Sequence, residues 1–300
     1  MKILITGGLG FVGSNLSGYL LDKGHSVIAV GRAATQNQIT SGRYRYISGD
    51  TTREGDWQEA LGDVDAVVNL AGKSIFKRWS KRYKKEIYES RILTTRNVVD
   101  GLPAHSTTVL CSASGAGYYG NRGDDLLKED EKPGNDFLAS LSVGWEAEAL
   151  KGPAKGVRVA LMRFGVILGK GGGALAKMIP AFKSFLGGPI GSGNQWFPWI
   201  HLSDLMAAIL FICEHPHISG PLNFCAPNPT RNRELAKALG EVLGRPAIMP
   251  APAIMIRAVL GEFADVLLGS QRMIPDRLLS HGFEFQYPDI RSAIQEVVAK

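Results

Sequence analysis

The chain has 300 residues, of which 45% are hydrophobic and 21% charged, a composition typical of a globular protein and not of a disordered one. It contains no run of 18 or more apolar residues, and it does not begin with a basic segment followed by an apolar one. We therefore expect a cytoplasmic protein without a membrane partner, with an organelle matrix as the alternative location. The formal charge of +6 suits an anionic ligand. Three widely spaced cysteines without a CxxC pattern exclude a disulfide framework and predict no metal site.

The first 24 residues predict a strand, a glycine turn and a helix. MKILIT is an apolar strand, TGGLGFVG at 6–13 is the turn, and apolar residues then recur at helical spacing up to Gly24. Only glycine lets a phosphate approach the main-chain N–H groups so closely, and the helix adds its positive end. A tight turn that binds nothing is the alternative. The residues predicted to bind a dinucleotide here are Thr6, Gly7, Gly10, Phe11, Val12 and Gly13.

The end of the second strand predicts which dinucleotide is bound. An acidic residue there would accept hydrogen bonds from the ribose 2′-hydroxyl of NAD, whereas this strand ends V-G-R at 30–32. The guanidinium of Arg32 can pair with a 2′-phosphate, so we expect NADP (NADPH). Arg43 or Arg45 could share that contact. Asp50, at the end of the third strand, is expected either at the adenine edge or in a structural turn.

Alternating strands and helices predict the fold class. HSVIAVGR, RYRYISGD, DAVVNLAG, TTVLCSAS and GVRVALMRFGVIL are apolar strands, and helices are predicted at about 80–101 and 138–151. This order specifies an α/β protein with a Rossmann-type, doubly wound parallel sheet. We assign 1–170 to the NADP-binding domain, with return elements near 199–226. The remainder, mainly 171–300, is a smaller C-terminal α/β region on the substrate side, with helices predicted at 205–214, 231–243 and 251–268 and at the C-terminus.

Aromatic residues in GSGNQWFPW at 191–199 predict a lining for the substrate cleft. Gln195, Trp196 and Trp199 would offer an aromatic platform with an amide, which suits a planar or sugar-like ligand, although aromatic residues are also common in cores. His201 follows them and could pair with Asp204. The simpler interpretation is that Ser203 or Asp204 caps the next helix and that His201 lines the cleft or is structural.

Several motifs resemble those of the extended short-chain dehydrogenase/reductases, which include nucleotide-sugar epimerases and dehydratases. They are TGxxGxxG at 6–13, GD at 49–50, NLAG at 69–72 and a serine-rich fifth strand followed by YYG. More narrowly, RFGVILGKGGG, GGPIGSGNQWFPWIH and GPLNFCAPNP resemble an atypical branch labelled epimerase-family proteins and sometimes cell-division inhibitors. The resemblance covers almost the whole chain and implies the fold and the cofactor class. It adds as cofactor-binding residues Leu70, Ala71, Gly72 and Arg91, and as substrate-side residues Trp79 and Glu146.

The catalytic pair of that superfamily is missing. Standard members use Tyr-x-x-x-Lys on one helix, in which the lysine lowers the pKa of the tyrosine and holds the nicotinamide ribose. The resemblance puts Ser140 at the tyrosine position and Gly144 at the lysine position. The literal match, Tyr19 to Lys23, lies on the first helix at the wrong end of the cofactor.

Other residues could supply part of this chemistry. Ser114 matches the superfamily's serine at the end of the fifth strand. Tyr118 or Tyr119 could transfer a proton, or could serve in packing or substrate contact. Glu146, beside Trp145, is a candidate acid if the indole desolvates it, and otherwise a carboxylate on the helix surface.

Three functions are therefore weighed. The first is an NADP-dependent oxidoreductase or epimerase-like enzyme for an unknown small substrate, a sugar-like molecule being one option. The second is a catalytically silent NADP(H)-binding sensor that acts through a partner. The third uses the basic stretch KRWSKRYKK at 77–85 to bind nucleic acid, but a solvated helix explains these charges better, so we do not expect a nucleic-acid partner. The sequence makes no prediction of the oligomeric state.

Overall fold

The protein is built on a seven-stranded parallel sheet. The computed structural model describes residues 1–36 and 39–299. Its strands are β1 (Lys2–Thr6), β2 (Ser26–Gly31), β3 (Tyr44–Ser48), β4 (Ala66–Asn69), β5 (Val109–Gly115), β6 (Leu126–Leu127), β7 (Arg158–Phe164), β8 (Val166–Leu168), β9 (Trp199–His201), β10 (Gly220–Phe224) and β11 (Arg272–Met273). The central sheet has the order β10-β7-β5-β4-β1-β2-β3, and its neighbouring strands pair in parallel. The predicted Rossmann-type fold is confirmed.

Helices cover both faces of this sheet. They are α1 (Phe11–Asp22), α2 (Lys81–Gly101), α3 (Phe137–Ala149), α4 (Leu175–Lys183), α5 (Leu202–Glu214), α6 (Asn232–Leu243), α7 (Ala253–Leu260), α8 (Phe263–Leu268), α9 (Asp276–Ser280) and α10 (Ile290–Val298). The central strands are buried on both faces, as their continuous apolar runs predict, and one apolar cluster packs on each face. None of the described helices has an apolar stretch long enough to cross a membrane.

The strand order reverses between β1 and β4, and this reversal positions the site. β1 pairs with β2 on one side and with β4 on the other, so that Thr6 lies opposite both Val30 and Asn69. The connections from these strands leave in opposite directions and open a crevice at the carboxyl ends of β1 and β4. Ligands of open α/β sheets bind at such a switch point.

The second half of the chain departs from the predictions at three places. The predicted strand GVRVALMRFGVIL is divided into β7, which stays in the central sheet, and β8, which pairs with β9 in a separate small sheet. The predicted helix 251–268 is two helices, because the backbone at Gly261 has φ +60°. Helix α4 was not predicted, since a glycine run precedes it and Pro180 lies within it.

The turn between β1 and α1 leaves no room for side chains. Gly7 has φ +68°, a conformation that favours glycine. A Cβ at Gly13 would lie 2.4 Å from the carbonyl oxygen of Gly7 and 2.8 Å from the Cα of Gly8. The first turn of α1 can therefore pack against the loop only if residue 13 has no side chain.

We expect Gly13→Ala to lower the free energy of unfolding by about 1 to 3 kcal/mol, because the added methyl group overpacks the turn. Gly18→Ala is the matched control in the same helix, where no atom lies within 4 Å of an added Cβ. That variant should gain about 0.5 to 1 kcal/mol from helix propensity. Urea unfolding of both variants checks this. Equal stabilities would contradict the close packing.

Candidate functional site

The first turn of α1 supplies a set of backbone N–H groups. Gly10, the N-cap residue, donates to the carbonyl oxygen of Gly7 over 2.9 Å and has no side chain with which to cap the helix. The N–H groups of Phe11, Val12 and Gly13 precede the first intrahelical hydrogen bonds. They therefore remain available to an anion at the positive end of the helix.

A cavity of about 440 Å³ extends from this turn along the carboxyl ends of the strands. Its walls come from the loops after β1, β2, β3 and β4 and from one face of α2, and its size is within the range of small-molecule sites. The predicted residues that line it are Gly7, Gly10, Arg32, Asp50, Leu70, Ala71 and Gly72. Lining residues that were not predicted include Lys73, Glu86, Glu89, Ser90, Leu93 and Thr94. Most of these recur at helical spacing on α2, a signal that could have been read beside the prediction of Arg91 on the same helix.

Arg32 and Asp50 form the charged end of the cavity. Arg32 is exposed, whereas Asp50 accepts hydrogen bonds from the N–H and hydroxyl of Thr52 at 3.1 and 2.8 Å. Partial burial opposes the charge of Asp50, but the bonds from Thr52 and the nearby cations, Arg32 among them, hold its pKa below the ordinary value. Asp50 thus closes a turn and lines the cavity.

The two other arginines that could share the phosphate contact lie elsewhere. Arg43 donates to the carbonyl oxygen of Leu21, at the amino end of the sheet. Arg45 is exposed in the middle of β3. Arg32 is therefore the predicted arginine that lines the cavity.

A buried polar network supports the floor of the cavity. The hydroxyl of Thr6 donates to Asn69 over 2.7 Å and accepts from the N–H groups of Leu70 and Ala71 at 3.1 and 3.2 Å. Asn69 in turn donates to Thr95 of α2 over 2.8 Å. Thr6 is fully buried, so the prediction that it contacts the cofactor is corrected: it orients the loop after β4.

Arg91 lies beneath the same loop and not in the cavity wall. Its guanidinium donates to the carbonyl oxygens of Lys73 and Ile87 and lies 5.2 Å from the ring centre of Trp145. Burial lowers the pKa of Arg91 to about 10, so it is still protonated at neutral pH. Because a Cβ on Gly72 would lie 3.0 Å from the guanidinium carbon, Arg91 supports the loop from below.

Phe11, Val12 and Gly13 contribute backbone groups to the site. The ring of Phe11 packs under the glycine run at 169–173, where a Cβ on Gly172 would lie only 2.2 Å from it. Val12 packs against the core, and Gly13 is buried. None of these three residues lines the cavity, so their contribution to the site is the backbone N–H groups at the start of α1.

Ser114 belongs to a buried hydrogen-bonded cluster at the end of β5. Its hydroxyl donates to Glu146 of α3 over 2.7 Å. Arg163 of β7 forms a bidentate ion pair with the same carboxylate, with both hydrogen bonds at 2.8 Å. These side chains are 3 to 6% exposed. Burial opposes the charge on Arg163, but the bond to Glu146 leaves its pKa raised. Glu146 is thus a buried ion-pair partner and not a carboxylate on the helix surface.

The two candidate tyrosines differ in their exposure to solvent. Tyr119 is fully buried, and its hydroxyl donates to Asn223 over 2.6 Å and accepts from Arg163 over 3.0 Å. Burial raises the pKa of Tyr119 above its ordinary value. The prediction that Tyr119 transfers a proton is therefore corrected to a structural role. Tyr118 is half-buried, and its ring centre lies 3.4 Å from the guanidinium carbon of Arg163.

The positions of the missing catalytic pair are occupied differently. Ser140 is exposed and its hydroxyl donates to the carbonyl oxygen of Asp136. Gly144 faces α2, where a Cβ would lie 3.0 Å from the hydroxyl oxygen of Tyr88. The structure therefore brings a tyrosine of the neighbouring helix close to the position of the absent lysine.

Trp196 is the most accessible of the three aromatic-platform residues. Its indole N–H donates to Asp124 over 2.6 Å. The guanidinium carbons of Arg231 and Arg272 lie 4.2 and 4.8 Å from its ring centre. The indole ring is therefore in contact with two cations.

The remaining platform residues have structural roles. Trp199 is 1% exposed and donates to Thr230, so it belongs to the core. Gln195 donates to the carbonyl oxygens of Ile190 and Leu267. The prediction that these two residues line the substrate cleft is corrected.

His201 and Asp204 also hold the fold together. His201 is buried, and its Nδ1 accepts from the N–H of Ser203, so it is the cap of α5 itself. The carboxylate of Asp204 accepts from the N–H groups of Gln286 and Tyr287. Neither a His–Asp pair nor a cap by Ser203 or Asp204 is present in these described residues, and the cleft-lining alternative for His201 is corrected.

Trp79 lies in an aromatic cluster beside the cavity loop. Its indole N–H donates to the carbonyl oxygen of Ile75 over 2.9 Å. Its ring centre lies 5.2 Å from that of Phe137 in α3 and 5.6 Å from that of Phe263 in α8. The cluster joins the C-terminal region to the segment that follows the cavity.

The basic stretch at 77–85 carries paired charges. The capping residue Ser80 starts α2, so only part of the stretch is helical. Lys84 pairs with Glu262 over 3.0 Å, and Arg82 pairs with Glu86 over 3.0 Å. Pairing with carboxylates reduces the charge available to a polyanion.

The chain is similar to known proteins over nearly its whole length. Residues 3–223 match the NAD dependent epimerase/dehydratase family, and residues 251–297 match a domain of unknown function. An Arabidopsis thaliana protein called "Epimerase family protein SDR39U1 homolog, chloroplastic" is 41% identical, and the match covers 99% of this chain and 87% of the plant protein.

Two solved structures extend this similarity to three dimensions. The human epimerase family protein SDR39U1 (isoform 2), crystallised with NADPH, is 34% identical, with a TM-score of 0.88 and 99% coverage of both chains. The nucleoside-diphosphate sugar epimerase of Corynebacterium glutamicum is 33% identical, with a TM-score of 0.78. The match covers 99% of this chain and 58% of the Corynebacterium chain.

We expect Glu146→Gln to cost about 3 to 5 kcal/mol of unfolding free energy, because it leaves the charge of Arg163 buried without a counterion. Glu241→Gln is the control, since the ion pairs of Glu241 with Lys237 and Arg291 are exposed and its loss should change stability little. Thermal and urea unfolding measure both. If the two variants were equally stable, the pair of Glu146 and Arg163 would not be buried in solution.

Proposed function

Since the chain belongs to the NAD dependent epimerase/dehydratase family, we propose that it is an NADP(H)-dependent oxidoreductase or epimerase-like enzyme that acts on a small, sugar-like substrate. One observation carries the choice of cofactor: Arg32 lines the cavity at the end of β2, where a site for NAD has a carboxylate. The human relative solved with NADPH supports it. NADP(H) would supply hydride transfer to or from a carbon of the substrate.

The residues of the cavity fit this dinucleotide. The N–H groups at the start of α1 would hold the pyrophosphate, in a turn where a Cβ on Gly13 would clash with the backbone. Arg32 would pair with the 2′-phosphate. The loop at 70–72, oriented by Thr6 and supported by Arg91, would pack against the cofactor.

The residues around Ser114 would handle the substrate proton. Ser114 can accept a hydrogen bond from a substrate hydroxyl while it donates to Glu146, so its hydroxyl is already oriented. Arg163 keeps the carboxylate of Glu146 in place through two hydrogen bonds. Tyr118 is the accessible phenol of the pair and is proposed as the group that exchanges a proton with the substrate.

Trp196 supports a phosphorylated sugar as the substrate class. An aromatic ring suits the apolar face of a sugar, and Arg272 suits phosphate oxygens, whereas Arg231 already pairs with Asp124 over 3.0 Å. Nε of Arg272 is one of three buried side-chain atoms of the described residues without a hydrogen-bond partner. The relative from Corynebacterium is named a nucleoside-diphosphate sugar epimerase, and such a substrate contains a phosphorylated sugar.

The alternative is an NADP(H)-binding sensor without turnover. It is favoured by Ser140 and Gly144, which cannot perform the chemistry of the standard tyrosine and lysine. Such a protein would change its conformation or its affinity for a partner when the cofactor binds.

We expect the purified chain to bind NADP and NADPH at least about tenfold more tightly than NAD and NADH, since the charge-assisted bond to a 2′-phosphate is worth about 1.5 to 3 kcal/mol. Arg32→Ala should remove this preference and leave NAD binding unchanged. Arg45→Ala, an exposed arginine outside the cavity, is the control. Calorimetric titration measures all three proteins. Equal affinity for NAD and NADP in the unaltered chain would refute the cofactor assignment.

We expect turnover with some member of a panel of nucleoside diphosphate sugars, measured as reduced nicotinamide or as epimerised product. Tyr118→Phe should then lower kcat by about 100-fold or more while NADP affinity is retained, because the phenolic proton donor is lost. Tyr19→Phe removes the tyrosine of the literal Tyr-x-x-x-Lys match and should have no effect. Full NADP binding without turnover on the whole panel would favour the sensor instead.

A further inference from the structure

One exposed apolar surface of the described residues shares no residue with the lining of the cofactor cavity. It is formed by two segments, one after α4 and one around the start of α7. We call it the apolar face, defined by Phe185, Leu186, Ile248, Met249, Ile254 and Met255. These side chains are 51 to 78% exposed, and Val259 extends the face along α7 with 68% exposure.

Backbone hydrogen bonds hold the two segments side by side. The N–H of Met249 donates to Gly187 over 3.2 Å, and the N–H of Ala251 donates to Pro189 over 2.9 Å. Phe185 and Leu186 are therefore neighbours of Ile248 and Met249 in one continuous surface. Scattered exposed apolar residues are normal, whereas a continuous group marks an interaction site.

Helix α7 is part of this surface, and every one of its eight residues is at least partly exposed. Its sequence, AIMIRAVL, has one charge and no other polar side chain. An apolar helix of two turns gains its stability from packing and not from propensity. The outer side of α7 therefore requires a partner that buries it.

The two stretches that carry the apolar face have only positive charges, with Glu241 and Glu262 directly flanking the second stretch. Residues 170–203 and 242–261 contain lysine and arginine but no aspartate or glutamate. Lys183 is exposed two residues before Phe185, and the guanidinium carbon of Arg245 lies 4.6 Å from the ring centre of Phe185. Arg257 of α7 pairs with Asp265 over 3.1 Å, so Lys183 and Arg245 carry the charge at the edge of the face.

We propose that the apolar face docks on an anionic phospholipid surface. Phenylalanine, leucine, isoleucine and methionine side chains would enter the boundary between headgroups and acyl chains, and Lys183 and Arg245 would meet the lipid phosphates. A second copy of the chain is a poorer partner, because a symmetric contact would bring the same cations of both copies together. The prediction of no membrane partner rested on the lack of a spanning segment, which peripheral docking does not need.

The docked surface would be connected to the cofactor side. Phe263 of α8 packs against Phe76 and Trp79, each at 5.6 Å. Arg78 donates to the carbonyl oxygen of Ala258 in α7 over 3.2 Å. The segment 73–79 directly follows the cavity loop, so docking would hold this side of the protein beside the membrane.

Flotation of the full chain with vesicles tests the proposal. We expect the protein to float with vesicles that contain both phosphatidylglycerol and phosphatidylcholine, and to float less as the salt concentration rises. It should not float with vesicles of phosphatidylcholine alone. The double variant I254E/M255E should bind the anionic vesicles about tenfold more weakly or worse, and K183E/R245E should also lose binding. Failure of the unaltered chain to float with anionic vesicles would overturn the proposal.

The control is the double variant L150E/L279E, which changes two other exposed leucines and should float like the unaltered chain. All variants should keep their unfolding temperature and their NADP affinity. A loss of vesicle binding can then be told apart from a failure of the proposed NADP-dependent function. Equal loss of binding in the control would overturn the assignment to this face. So would a dimer of the unaltered chain, detected by light scattering, that I254E/M255E converts to a monomer.

Discussion

The hydrogen bonds around Asn69 are the interaction on which the site depends. The buried side-chain amide of Asn69 accepts a hydrogen bond from the hydroxyl of Thr6 in β1 and donates one to Thr95 of α2. Thr95 also accepts a hydrogen bond from the indole N–H of Trp145 in α3. Four elements are thereby connected at one point beneath the cavity. Burying so many polar groups is costly unless each finds a partner, and here the partners come from different elements. The positions of the cofactor loops are consequently set by the core of the fold and not by the loops themselves.

The local part of the site could be predicted from the sequence. Glycine turns, apolar strands and the side chain at the end of β2 are encoded within a few residues, and the predicted residues Gly7, Gly10 and Arg32 lie in the cavity wall. The roles of Trp199 and His201 depend on residues far away in the chain, such as Thr230 and Glu296. Residue type alone cannot tell an aromatic core residue from a cleft residue, because both need the same ring.

Glu146 and Arg163 illustrate a second limit of sequence reasoning. The sequence places a carboxylate beside Trp145 on a helix, but the arginine that pairs with it comes from a strand 17 residues later, through the packing of α3 on the sheet. A buried ion pair of this kind stabilises little compared with an apolar pair of the same size. Its value is in geometry: it fixes the hydroxyl of Ser114 and places the guanidinium of Arg163 against the ring of Tyr118. The pair thus joins α3, β5, β7 and the loop after β5 at one point.

The ring of Phe11 packs under the glycine run at 169–173, and this contact ties two distant parts of the chain together. Phe11 is the first residue of the helix whose N–H groups face the cavity, and a Cβ on Gly169 or Gly172 would lie 3.0 or 2.2 Å from its ring. Contacts this close transmit displacement instead of absorbing it, because protein interiors have little compressible space. A side chain at residue 172 would therefore push the first residue of α1 away from its place. The absence of side chains at 171–173 is what allows the start of α1 and the segment that leads into α4 to pack together.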